Sequence, residues 1–331
     1  MKVLFIGGTG LISSACADLA VRQGVDLYIL NRNASKKLPL PEGANLLIGD
    51  VHGDELQLAR LLAGRQFDVV VDWIAYTPED IERDLALFQD RVRQFVFISS
   101  ASAYQKPPTH PVITESTPLA NPNWQYSRDK IACEERLMQA YRQQGFPVTI
   151  VRPSHTYDTN LPIAIGGWTS YTLPDRMKKR LPIIAHGDGS SLWVVTHSDD
   201  FARGFVGLLG NPQTIGHAFH ITSDEVLTWN QIYTTIAEAL GVQANIIHIP
   251  SDFIVQVAPD LTGNLLGDKT WSAIFDNSKI KTFVPGFLAT IPFHEGIRRT
   301  LAWFDADERR RVIEEEVNRE MDSIIAAYRG R

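Results

Sequence analysis

The sequence predicts an α/β protein built on a doubly wound parallel sheet. Two observations carry that expectation. Short apolar runs alternate with helical segments through the first half of the chain, and the first run passes through a glycine-rich turn straight into a helix. Near-continuous apolar runs are what strands look like when helices cover both faces of a sheet. Regular alternation with helices supplies the crossovers a parallel sheet needs.

Taken in order, residues 3–6 form the first apolar run and end in "GGTG". Helical periodicity follows over 11–23 and stops at Gly24. "DLYIL" (26–30), "NLLIGD" (45–50), "DVVVDWIAY" (68–76), "QFVFISS" (94–100) and "PVTIV" (147–151) read as further strands, with "DELQLARLL" helical between the third and fourth. A helix is expected over 126–144, with Gly145 as its stop. The second half mixes helices with short strands and Pro- or Gly-bearing turns. It closes on a charged amphipathic helix in which Ile313, Val317, Met321 and Ile324 share one face, to pack against the body or a partner subunit.

Composition bounds the function. The 331 residues are 44% hydrophobic and 21% charged, with a net charge of −6, as in an ordinary soluble globular protein. No basic stripe follows a nucleic-acid backbone, and the short run "RMKK" (176–179) reads as a solvated helix end. Neither nucleic acid nor membrane is an expected partner. "MKVLFIGG" is too short for a signal peptide or a span, so the expected location is cytoplasmic. Cys16 and Cys133 read as buried free thiols, which suits a reducing compartment.

The glycine turn has the context of a dinucleotide fingerprint, since it follows a strand and opens a helix. Gly7 permits the tight turn and Gly10 the close approach of a pyrophosphate, with Thr9, Leu11 and Ile12 beside it. Ser13 stands where a third glycine is usual. The end of the second strand carries Asn31 and Arg32, with Lys36 and Lys37 close behind, rather than an acidic residue. A guanidinium there suits a 2′-phosphate, so NADP is expected ahead of NAD. Asp50 and Val51 are placed to meet the adenine, and Trp73, Ile74 and Ala75 lie at the end of the fourth strand. No histidine or cysteine spacing suggests a metal site; "HAFH" (217–220) reads as a strand whose two histidines face opposite sides.

Tyr126 and Lys130 stand four apart, on one helix face. With Ser100 at the end of the fifth strand they make a workable acid–base set. The lysine ammonium lowers the tyrosine pKa and binds the nicotinamide ribose, the tyrosine exchanges a proton with a hydroxyl or carbonyl, and the serine donates to the same oxygen.

These motifs together resemble the extended short-chain dehydrogenases/reductases, the group that includes NAD-dependent epimerases and dehydratases of sugar nucleotides. "GGTGLIS" matches that family's glycine turn apart from Ser13, "SSASAY" (99–104) its serine motif, and "YSRDK" its tyrosine–lysine motif. "VRPSHTYD" (151–158) is similar to its strand into the substrate domain, placing Pro153 and Ser154 by the nicotinamide. The resemblance implies a Rossmann domain (1–155, with 192–210 returning to it) interleaved with a smaller C-terminal substrate domain (156–191 and 211–331). It also implies a homodimer formed through helices near 79–90 and 127–144. Catalysis falls to Ser100, Tyr126 and Lys130, acting on a small-molecule sugar, sugar nucleotide, alcohol or ketone.

Candidate substrate contacts are Ser102, His155 and Trp193. Two of them depart from the family pattern: an asparagine is usual at His155 and an arginine at Trp193, where both help hold a substrate diphosphate. A tryptophan supplies no positive charge. Arg176 or Lys178 is the alternative cation, and Lys269, Trp271 and Asp276 are further candidates for the pocket wall. The competing function is a non-catalytic binding protein on the same fold, as in relatives associated with RNA or redox sensing.

Overall fold

The first half of the chain lays down five strands, β1 (Lys2–Ile6), β2 (Asp26–Asn31), β3 (Asn45–Ile48), β4 (Val69–Asp72) and β5 (Gln94–Ile98). Helices α1 (Leu11–Arg22), α2 (Glu55–Leu62) and α3 (Pro78–Phe88) lie between them. The short strand β6 (Val112–Ile113) precedes α4 (Gln125–Gln144), β7 (Val148–Pro153) and β8 (His155–Tyr157). Then come α5 (Thr172–Lys178), β9 (Ile183–His186), β10 (Leu192–Trp193), β11 (Val195–His197), α6 (Ser198–Leu208), β12 (Ala218–Ile221) and α7 (Trp229–Ala239). The structure is a computed structural model and describes residues 1–32 and 38–330. Lys36 and Lys37 lie outside the described residues.

Seven strands pair in parallel in the order β12–β7–β5–β4–β1–β2–β3. The order reverses between β1 and β4, which opens a crevice at the carboxyl ends of the strands. Successive residues along each strand serve opposite faces. Val3, Phe5, Ile29, Val71 and Val96 pack under α1 and α6, whereas Leu4, Ile6, Val70, Phe95 and Phe97 pack under α2, α3 and α4. Both sets are buried, hence the unbroken apolar runs. Helix α4 ends at Gly145, whose φ of 70° is the left-handed conformation that glycine takes at no steric cost.

Three expectations need correction. The fourth strand stops at Asp72, not at 76, because the Asp72 carboxylate accepts the N–H groups of Ile74 (2.7 Å) and Ala75 (2.8 Å) and bends the chain. The domain division is finer than expected. Strand β12 pairs with β7 in the large sheet, while Trp193, Val194 and Val195 belong to the core of the smaller domain. The run 176–179 is a solvated helix end only in part: Lys178 and Lys179 are exposed, but Arg176 is buried and donates to Asp322 (2.5 Å) and to the Pro182 carbonyl. The C-terminal helix Glu315–Arg329 buries Met321, Ile324 and Ile325 in that same smaller core.

A buried polar network braces the sheet behind its carboxyl edge. Arg152 on β7 donates twice to Glu134 on α4, at 2.6 and 2.9 Å, and Ser99 donates to the same carboxylate at 2.5 Å. The guanidinium stacks over Tyr104 (4.8 Å), whose hydroxyl donates to His220 Nδ1 (2.9 Å). His220 Nε2 in turn donates to the Asp276 carbonyl (2.8 Å). Removing one partner of a buried ion pair strands the other charge. Glu134→Ala is expected to cost about 3–5 kcal/mol in denaturant unfolding, and the double variant Glu134→Leu/Arg152→Met to recover most of it. A single-variant loss within measurement error would show that the pair is not a brace.

Candidate active site

Strand β1 delivers the chain into Gly7 and Gly8, with φ values of 96° and 93°. A Cβ on Gly7 would lie 3.1 Å from Ile74 Cγ2, and one on Gly8 would lie 3.0 Å from Ile29 Cγ2, so side chains are excluded on both counts. Gly8 was not singled out from the sequence, although the doubled glycine was the signal. Gly10 has an ordinary φ of −83° and caps α1. Ser13 accepts its N–H at 2.9 Å, so the residue in the third glycine's place locks the turn.

A cleft of about 470 Å³ opens beside this turn. Gly7, Thr9, Asn31, Arg32, Asp50, Val51 and Ile74 line it, joined by His52 and Tyr76. Leu11 and Ile12 start α1 at its edge. Glycines whose Cβ would fill the cradle, a helix N-terminus and a cleft at the strand-order reversal fit a dinucleotide. Trp73 does not line the cleft: its ring packs against Phe205 (4.9 Å) and Phe5 (5.5 Å) in the core. Arg32 is largely exposed, 3.9 Å from the Asp50 carboxylate.

The loop 73–75 is held by charges that sequence reasoning missed. Arg83 bonds Asp80 (2.9 Å), Asp84 (3.1 Å) and Asp72 (3.2 Å) at once. Burial pushes the carboxyls of Asp72 and Asp84 up. The sequence signal was "EDIERD", with acidic residues flanking one arginine on a single helix face.

Helix α4 brings Tyr126 and Lys130 onto the face that looks at this loop. Lys130 Nζ donates to the carbonyls of Ala75 (2.6 Å) and Ile98 (2.8 Å) and sits 4.6 Å over the Tyr76 ring and 5.8 Å over that of Tyr126. Ser127 donates to Ser102 Oγ (2.7 Å), which is 2.9 Å from Ser100 Oγ. The Ser100 side chain is within hydrogen-bonding reach of Tyr126. Ser100, Tyr126 and Lys130 therefore do come together, at the carboxyl edge where Pro153 ends β7 and Ser154 follows.

The electrostatics differ from expectation. Burial pushes the Tyr126 phenol up to about 12, and the Ser100 hydrogen bond only moderates this. Burial likewise pulls Lys130 down to about 8, against the opposing pull of nearby acidic groups. Burial outweighs what lowers the phenol, and Lys130 is not among the groups that shift it.

The substrate side is rearranged. Trp193 is fully buried and donates its Nε1–H to His155 Nδ1 (3.0 Å), so the two residues that depart from the family pattern satisfy each other. Burial holds His155 well below its ordinary pKa, and Lys269 lowers it further. Neither Trp193 nor Ser102, buried in the hydroxyl chain, is an open substrate contact. Arg176 is spent in the core, so it does not replace the missing arginine, and Lys178 donates to the Tyr171 hydroxyl (2.6 Å). Asp276 caps the Ser278 N–H (2.8 Å), and Trp271 donates to the Leu266 carbonyl (2.7 Å). Among the described residues no three His, Cys, Asp or Glu side chains converge on a metal site, and no helix is long and apolar enough to cross a membrane.

This fold and glycine turn define a doubly wound α/β protein of Rossmann type. Residues 3–222 match the NAD dependent epimerase/dehydratase family, and the chain belongs to that family. It is 30% identical over 171 residues to a UDP-glucose 4-epimerase of Lactobacillus helveticus, a match covering 46% of this chain and 51% of that protein. It is 26% identical over 266 residues to the chloroplast stem-loop binding protein of 41 kDa b of Arabidopsis thaliana, covering 76% of this chain and 67% of that one. Among solved structures, dTDP-glucose 4,6-dehydratase of Bacillus anthracis in complex with NAD superimposes with a TM-score of 0.72 at 19% identity, over 93% of this chain and 98% of that chain. The expected preference for NADP finds no support in these comparisons.

The lowered pKa of Lys130 has a stability consequence. Its folded-state value, about 8, lies below the 10.5 of free lysine. Below pH 8 the ammonium is buried at a cost of about 3 kcal/mol, and that cost is relieved as pH rises toward the free-lysine value. Wild type should therefore gain stability relative to Lys130→Met across that window, in chemical unfolding at stepped pH. A constant difference between the two would contradict the burial assigned to Lys130.

Proposed function

We propose that the chain is a dinucleotide-dependent enzyme acting at a hydroxyl or carbonyl carbon, with Tyr126 as its acid–base group. The observation that carries this reading is the convergence of Tyr126, Ser100 and Lys130 beside the Gly7–Gly8 turn. NAD is the cofactor we favour, on the family match and on the relative that holds it. Gly7, Gly8 and the N-terminus of α1 would hold its diphosphate; the cleft of Asn31, Arg32, Asp50 and Val51 would take its adenosine. The chemistry it supplies when bound is reversible hydride acceptance.

The chain's own residues do the rest. Ser100 donates a hydrogen bond to the substrate oxygen and fixes it at the Tyr126 hydroxyl. Tyr126 takes the proton from that oxygen or returns it, and Ser102 and Ser127 hold the Ser100 hydroxyl in place through a chain of hydrogen bonds. Lys130 fixes the loop after β4 and the end of β5 at one distance, and so sets where Tyr126 stands. The substrate class is a sugar, a sugar nucleotide or a smaller alcohol or ketone, in line with the Lactobacillus relative.

The second reading, a nucleic-acid-associated protein, rests on the likeness to the stem-loop binding protein. The net charge of −6 weighs against it.

Tyr126→Phe should lower turnover by at least about 100-fold while NADH affinity, followed by fluorescence, stays within about twofold of wild type. Full activity in that variant would remove Tyr126 from the chemistry. In the same titration wild type should bind NADH at least as tightly as NADPH. A clear NADPH preference that disappears in Arg32→Ala would restore Arg32 as a 2′-phosphate ligand.

A further inference from the structure

One wall of the smaller domain is a single wide turn of π-helix, Leu265–Lys269. Such turns are rare and recur at functional sites. This one is anchored along its length. The Lys269 carbonyl accepts the Nε2–H of His186 (2.8 Å) and the indole N–H of Trp229 (3.2 Å). Asn121 donates to the Gly267 carbonyl (2.7 Å) and to the Ser102 carbonyl (2.8 Å), tying the turn to the serine loop of the candidate active site. Trp124 fills the gap against Gly263 and Gly267 and lies 5.2 Å from the Tyr126 ring.

The turn presents Asp268 and Lys269, and Lys106 meets them from the loop after the serine motif. Lys269 Nζ is 2.6 Å from Asn264 Oδ1 and 3.4 Å from Asp268 Oδ2. Lys106 Nζ is 3.8 Å from Asp268 Oδ1. The Lys106 side chain is 1% exposed and that of Asp268 14%; for Lys269 the figure is 11%. Two ammoniums thus share one carboxylate in a largely buried setting, leaving one positive charge unbalanced. Burial pulls the Lys106 pKa down and Lys269 pulls it further, against the opposing effect of Asp268. Among the described residues, the neighbouring His155, His186 and Tyr126 add no negative charge at neutral pH. His155 is held well below its ordinary pKa, and Tyr126 is pushed up, in part by Asp268.

The geometry points to Lys106 and Lys269 as the anchor for the carboxylate of an acidic substrate, a uronate, aldonate or short hydroxy acid whose reacting carbon then lies at Tyr126. A carboxylate brings the one negative charge that the cluster lacks, and its two oxygens match two separate donors. It would also account for the lost positive charge at Trp193, since the anionic part of the substrate is held elsewhere. The assignment rests on Tyr126 as the acid–base group, but its test does not depend on turnover.

The test is a calorimetric titration of the NADH-loaded full-length protein with uronates, aldonates and short 2-hydroxy acids, each paired with its neutral alcohol and its phosphate ester. At least one acid should bind at least about tenfold tighter than its neutral partner and tighter than its phosphate ester. Lys106→Met and Lys269→Met should each abolish that preference, and Lys106→Arg should keep most of it. Tyr126→Phe should keep the preference whole, so loss of catalysis and loss of the anchor are read separately. The assignment is overturned if no acid is preferred in wild type, if the phosphate esters bind tighter, or if folded methionine variants keep the preference. The wild-type comparison decides the matter even if a methionine variant fails to fold.

Discussion

The ammonium of Lys130 donates to the carbonyls of Ala75 and Ile98, which belong to the loop after β4 and the end of β5. It is buried among Tyr76, Phe97 and Tyr126, where an unpaired charge would be costly. The two carbonyls satisfy it, and in doing so they fix the spacing of the two strand ends against α4. That spacing decides where the Tyr126 hydroxyl stands relative to Ser100 and to the glycine turn. Asp72 and Arg83 act on the same loop from the other side, through the N–H groups of Ile74 and Ala75 and through the carboxylates of α3. The candidate site is thus set by backbone groups at two strand ends, held in place by a few buried charges.

This arrangement makes Tyr126 a weak acid in the protein by itself. Burial raises its pKa, and the lysine beside it is committed to carbonyls instead of being aimed at the phenol. The lysine's part is positional first and electrostatic second. Burial also explains the fate of His155 and Trp193. They form a closed hydrogen bond inside the smaller domain's core, so neither faces a diphosphate, while Lys106 and Lys269 gather around Asp268 on the π-turn.

The sheet was legible in the sequence because its inner strands β1, β4, β5 and β7 are buried on both faces, which leaves runs of apolar residues that no loop would carry. The glycine turn and the Tyr126–Lys130 spacing were legible because a tight turn and a shared helix face each impose a local rule. The Asp72–Arg83 clamp was not, since its members meet only after β4 and α3 pack. Nor was the division of the domains: β12 and the segment around Phe287 return to the sheet through tertiary packing that leaves no mark on local periodicity. The cluster of Lys106, Asp268 and Lys269 joins residues more than 150 positions apart, and only Lys269 drew notice in the sequence.

The most direct test of this account is the site-resolved titration of Lys130 and Tyr126 by NMR, with labelled lysine and tyrosine and with Lys130→Met and Tyr126→Phe to assign the signals. A buried, carbonyl-bound lysine beside a buried phenol should titrate near 8 and the phenol near 12. A lysine that titrates near its free value, next to a tyrosine depressed below its own, would contradict it. It would mean that the ammonium activates the phenol directly and that the carbonyls of Ala75 and Ile98 do not hold it.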